Sequence, residues 1–133
     1  MLYQHLLVDT PSFVLTFNET KQWLHAVWKG PHDAASIVAG CAAMQQCLRK
    51  NPCHKVLDDS SLSENDWDEV ADWVGQHFFE TMARQGVRYF AWVCPSDLVS
   101  RKSMELALQQ ATQPIVAMFN DVATARAWLQ AHE

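Results

Sequence analysis

An open α/β fold built on one mixed β-sheet is what this sequence predicts, and three observations predict it. The first thirty residues alternate side chains with the period of two that marks strands. From residue 33 the apolar spacing changes to the threes and fours of an amphipathic helix. After that, short apolar runs ("KVLDD", "VRYFAWVC", "PIVAMF") alternate with helical stretches. The order is β-β-β-α-β-α-β-α-β-α. Three consecutive strands give the sheet an antiparallel start, and the later β-α-β units predict parallel crossovers.

Each element has its own justification. "YQHLLV" is short and apolar, and Thr10-Pro11-Ser12 turns the chain after it. In "SFVLTFNE", Phe13, Leu15 and Phe17 oppose Val14 and Thr16. In "KQWLHAVWKG", Trp23, His25 and Val27 oppose Leu24, Ala26 and Trp28. Asp33 can cap a helix whose stripe is Ala34, Ile37, Val38, Cys41, Met44 and Leu48, with Asn51-Pro52 ending it. Gly40 inside that helix costs about 1 kcal/mol relative to Ala, which predicts a close approach to the sheet. "KVLDD" reads as a short strand, Ser60 and Ser61 as a polar turn, and Ser63 with Asp66 as a capping box. The next helix should bury Trp67, Val70, Ala71, Val74 and Phe78. A Leu- and Gln-rich helix over 100–111 follows "VRYFAWVC", and Asp121 caps a final helix carrying Val122, Ala125, Trp128 and Leu129.

At 133 residues, 49% of them apolar and six of them Trp, the chain predicts a single domain, 1–133, whose core needs no metal or disulfide. The net charge of −5 and the scatter of its Lys and Arg argue against a nucleic-acid surface. The N-terminal "MLYQHLLVDTP" lacks the cationic start of a signal peptide, and "IVAGCAAM" is far short of a membrane span. Four cysteines at 41, 47, 53 and 94 have no ligand-like spacing. They predict reduced thiols in a cytoplasmic protein.

No nucleophile elbow, zinc-protease motif, P-loop or dinucleotide fingerprint is present. The six histidines form no spaced ligand pair. The expectation is therefore a protein that is not an enzyme and needs no cofactor or metal. Four acids, Asp58, Asp59, Asp97 and Asp121, follow the predicted parallel strands, on the edge where open α/β sheets bind ligands. Helix capping accounts for Asp at such turns equally simply, and is the expected role.

Four stretches spanning nearly the whole chain carry a resemblance: "VWKGPHD", "KVLDDSS", "GVRYFAWV" and "FNDVATARAWL". The chain resembles the STAS domain of bacterial anti-sigma-factor antagonists, and in particular small stand-alone STAS-like proteins whose fold is shared with the CRAL-TRIO domain. The resemblance implies a non-enzymatic protein-interaction module in bacterial regulation or stress signalling. Its alternative implication is a binder of a small apolar, lipid-like ligand in a CRAL-TRIO-like cavity, for which Trp23, Trp28, Trp92, Phe13 and Phe17 are the candidate walls, although the same residues equally fill an ordinary core. The antagonists carry a phosphorylated Asp-Ser-Ser-Gly-Leu turn, so Asp58, Asp59, Ser60 and Ser61 are candidates for a regulatory loop. Here the Gly is missing and acids crowd the turn. A phosphate would meet repulsion there, and neither serine is expected to be an efficient phosphoacceptor.

A contact surface is read from the second helix. At 100° per residue Phe79 falls with Asp68, Asp72 and Gly75 on the polar side, while Trp73 and His77 form a flanking pair. Trp73, His77 and Phe79 are thus the candidate surface for a protein partner or a homodimer, the alternative being that neighbouring segments cover them.

Overall fold

The computed structural model describes residues 4–64 and 67–132. Its six strands are β1 (Gln4–Asp9), β2 (Phe13–Asn18), β3 (Trp23–Pro31), β4 (Lys55–Glu64), β5 (Tyr89–Val93) and β6 (Ile115–Phe119). They form a single mixed sheet in strict chain order, β1-β2-β3-β4-β5-β6. β1–β2 and β2–β3 pair antiparallel. β3–β4, β4–β5 and β5–β6 pair parallel, as the three-strand start and the following alternation predict.

The helices divide unequally between the two faces of this sheet. α1 (Ala34–Lys50) joins β3 to β4. α2 (Asp68–Trp73), a π-helical turn (Val74–Phe78) and α3 (Phe79–Arg84) run on from one another between β4 and β5. α4 (Leu98–Gln110) joins β5 to β6, and α5 (Val122–Ala131) closes the chain. Side chains from α1 through α4 share one core with Leu24, Ala26, Trp28, Val56, Phe90 and Trp92. The alternate residues Trp23, Leu57, Ala91 and Val93 pack on the other face against Ala125 and Leu129 of α5. The period of two in each strand thus feeds two separate cores.

Local chemistry sets the helix ends. The Ser36 N–H donates to the Asp33 carboxylate (2.9 Å), and the Asp33 N–H donates back to the Ser36 hydroxyl (3.0 Å). That is a reciprocal capping box with Ser in the third position. Asp97 and Asp121 accept from the N–H groups of Val99 and Thr124 and cap α4 and α5. Gly40 lies where a Cβ would overlap the Trp28 indole, whose Cζ3 is 2.6 Å from that position. The close approach expected of this glycine is therefore an approach to one particular ring. Val38, expected in the stripe of α1, is instead exposed.

Two expectations are corrected. "DDSSLSE" is not a turn: β4 continues to Glu64 because β3 runs beside it, pairing Lys29 with Leu62, Gly30 with Ser63 and Pro31 with Glu64 after a register shift. That partner satisfies the backbone groups a turn would have left free. Ser63 consequently is no helix cap, and its hydroxyl donates to the Ser60 carbonyl (2.8 Å). Asp66, its expected capping partner, lies outside the described residues. Trp67 occupies the cap position of α2 without a side-chain cap, and its N–H donates to the Ser103 hydroxyl (2.7 Å).

The second correction concerns Phe79. A π turn inserts an extra residue into the helix and so rotates everything downstream by about 100° relative to an uninterrupted α-helix. Phe79 is thereby carried off the polar side and is fully buried, edge-on to Phe90 (5.0 Å) and Trp92 (5.4 Å). It cannot belong to a contact surface.

Candidate functional site

The arrangement with most chemical content lies beneath the C-terminal end of β4. Asp58 and Ser60 are two residues apart on an extended strand and therefore point to the same side, the face covered by α1 through α4. Both are buried. The Trp28 indole N–H donates to one Asp58 oxygen (3.1 Å), and the Ser60 hydroxyl donates to the other (3.1 Å). The Trp92 indole N–H in turn donates to the Ser60 oxygen (3.3 Å). Three adjacent strands, β3, β4 and β5, thus contribute one relay, Trp28–Asp58–Ser60–Trp92.

A cavity of about 30 Å³ adjoins this relay, walled by Trp28, Trp67, Trp92, Phe78 and Phe90, with Cys41 from α1 at its margin. That space admits roughly two water-sized groups. Among the described residues lining it, none carries a positive charge. Burial drives the Asp58 carboxyl up from 3.8 to about 7, against the Trp28 and Ser60 hydrogen bonds that favour its charged form, and neighbouring Asp59 pushes it up slightly further. An acid in this state gains or loses its proton near neutrality. Burial also raises the Cys41 thiol well above its usual range, with Asp58 adding to the effect, so that thiol stays protonated and unreactive.

The four regulatory-loop candidates do not stay together. Asp59 and Ser61 face the opposite side of the sheet, where the Asp59 carboxylate accepts from the Ser61 N–H (3.0 Å) and hydroxyl (2.6 Å). His25 lies on that same side. Burial lowers its pKa below 6.5, with Asp59 opposing the shift and Arg126 reinforcing it. Arg126, from α5, stands over the Trp23 ring at 5.5 Å. His25 Nε2 and Trp23 Nε1 are buried without a hydrogen-bond partner among the described residues. The four strand-end acids do not converge either: Asp97 and Asp121 serve as caps, while Asp58 and Asp59 are divided by the sheet. No group of three His, Cys, Asp or Glu able to hold a metal occurs among the described residues.

Of the candidate cavity walls, Trp28 and Trp92 line the cavity, but Trp23 belongs to the other core and Phe13 and Phe17 do not reach it. Trp67, Phe78 and Phe90 are walls that the sequence reading does not include. Their signal was available for Phe90, which is in phase with Trp92 on its strand, whereas Trp67 reads simply as the first residue of a helix. Of the expected surface, Trp73 is half-buried and stacks on Phe78 (6.5 Å) and His77 is exposed, while Phe79 lies inside. No helix among the described residues is long and apolar enough to cross a membrane. No known family model, curated protein or solved structure matches the chain.

Proposed function

We propose that the protein is a STAS-like, non-enzymatic interaction module that docks a protein partner at the C-terminal edge of its parallel strands. The observation that carries this reading is a set of bare apolar side chains at that edge. Leu62 at the end of β4 is 60% exposed, and Leu98 and Val99 at the start of α4 are 78% and 61% exposed. Leu62 shares a surface depression with Pro95, Asp97 and Ser100, which brings the β4 end and the α4 start together. Large aliphatic side chains gathered at one edge are what an interface core requires. The loss of Phe79 from the α2–α3 side moves the proposed contact here.

The mixed sheet with its antiparallel start is compatible with the STAS-like resemblance. Ser60 is buried and Ser61 is bound to Asp59, and both are held in a strand, which supports a module whose docking does not depend on phosphorylating them. The lipid-like alternative has less support, because an apolar ligand of that kind needs a pocket of roughly 300 Å³ or more, and the aromatic cavity is a tenth of that. The test compares affinity isolation from native cells using the wild type and a Leu62→Asp, Leu98→Asp double variant. A partner retained by the first and lost by the second, with unchanged circular dichroism, is the expected result. Identical sets of bound proteins, together with a monomer for both in light scattering, would overturn the reading.

A further inference from the structure

We propose that the cavity beneath the end of β4 binds the ammonium group of a small primary amine, with the Asp58 carboxylate as its counter-charge and the Trp28, Trp67 and Trp92 indoles as its walls. This goes beyond the docking reading and does not depend on it, since it concerns the interior of the molecule and not its edge.

The argument begins with what Asp58 lacks. A buried carboxylate normally sits opposite a cation or a metal. Asp58 has a Trp N–H and a Ser hydroxyl instead, and no Lys, Arg or His is among the described residues lining its cavity. Its two donors aim at its two oxygens, and the Ser60 oxygen already accepts from Trp92, so the local hydrogen bonding asks for an acceptor on each side. The ionised acid meets that demand and adds a negative charge with no positive partner among the described residues lining the cavity. A cationic ligand would supply that partner.

The walls keep water from that charge. Three indoles and two phenyl rings line the cavity, with the Trp28 and Trp92 N–H edges turned to Asp58 and Ser60. A desolvated carboxylate in such a surround attracts an ammonium and repels an anion. Size narrows the class. About 30 Å³ holds two heavy atoms or so, which matches methylammonium or the head of a slightly longer amine and excludes a tetramethylated nitrogen.

The charges facing Asp58 are few. From α1 comes Cys41, a thiol held neutral. β5 and the π turn present Phe90, Trp92, Val74 and Phe78, which do not titrate in the range concerned. Asp59, next in the chain, lies across the sheet and adds only a minor push. Binding of a cation to the ionised acid must then release a proton below pH 7 and strengthen as the pH rises. A carboxyl that titrates at about 7 is roughly one-tenth ionised at pH 6 and nine-tenths at pH 8, so the affinity should rise about tenfold between them.

The experiment titrates the protein with methylammonium at pH 6, 7 and 8, following the indole N–H resonances by NMR and heat by calorimetry. The expected result is saturable binding that shifts the Trp28 and Trp92 signals, tightens about tenfold from pH 6 to pH 8, and weakens at least tenfold in Asp58→Asn. Tetramethylammonium and methanol, run on the wild type alone, are expected not to bind. The proposal is overturned if methylammonium produces no saturable shift. It is equally overturned if methanol or tetramethylammonium matches methylammonium, or if binding is flat with pH.

Discussion

The two faces of the sheet receive neighbouring residues of the same strand and treat them differently. Asp58 and Ser60 fall under α1 through α4, where they are buried and tied to two indoles. Asp59 and Ser61, one position along, fall on the face that α5 helps to cover, and they remain half-buried. "DDSS" looks like one motif in the sequence. In the fold it is two, because a strand deals consecutive side chains to opposite sides. The chemical environment follows the parity of the residue number more closely than it follows proximity along the chain.

The largest expected effect tests that contrast directly. The Asp58 pKa is raised on folding, so the native state holds a proton that the unfolded chain has lost, and stability falls as pH rises from about 4 to about 7. A displacement from 3.8 to about 7 corresponds to an upper bound on the order of 4 kcal/mol at about 1.4 kcal/mol per pH unit. Urea denaturation should find Asp58→Asn more stable than the wild type at pH 8 by a large part of that amount, with little difference near pH 4. Asp59→Asn should show no such pH-dependent gain. His25 works in the opposite sense. Its pKa is lowered on folding, so stability is lost as the pH falls below 6.5, and there the two opposed trends should partly offset one another in the wild-type profile.

Next in size is the anchoring of the thinner face. Leu129 and Ala125 are the fully buried side chains of α5. Leu129→Ala should cost about 3 kcal/mol and release α5 before the rest of the molecule. Hydrogen exchange would show this as a loss of protection over residues 122–131, with α1 unchanged. If α1 and α5 lost protection together, the two faces would be one cooperative unit and the contrast would fail.

Gly40→Ala probes the thicker face and should cost about 1–3 kcal/mol by overpacking, despite the better helix propensity of Ala. Its added methyl displaces the Trp28 ring, so tryptophan fluorescence should change with it. The smallest expected effect is on the rim: Leu98→Ser should alter stability by no more than about 0.5 kcal/mol, as measured by thermal unfolding. A larger loss would mean that Leu98 packs inside the molecule and is not available to a partner.

Much of this architecture can be read in the sequence, for identifiable reasons. The phases of Trp23 and Trp28, of Phe13, Leu15 and Phe17, and of the α1 stripe of Ile37, Cys41, Met44 and Leu48 are strong periodic signals, and each of these residues is buried; only Val38 departs from its stripe. Asp33 and Asp121 announce their helices because a cap is a local device. What could not be read was non-local. β4 extends through Ser61 and Ser63 only because β3 lies alongside, and polar residues give no hint of that pairing. Phe79 is misplaced because a π turn leaves the composition of a helix unchanged while altering its phase. The Asp58 site fell between these cases. Its residues were singled out, but without the full length of β4 they read as a loop, and the indoles that surround the acid come from segments far apart in the chain.

The order of the strands has a consequence for how the molecule is made. Every strand lies beside its immediate predecessor, so no strand has to be threaded between two that are already paired. Assembly can proceed by accretion: a hairpin of β1 and β2, then β3 at its edge, then one strand and its covering helix at a time. Such a sheet keeps its loop closures short, and it can be laid down in the direction in which a ribosome delivers it, N-terminal segments first. The acid, the last part of β4 and the indole from β5 meet only when the fourth and fifth strands are added, so the interior charge is enclosed after a sheet already exists to hold it.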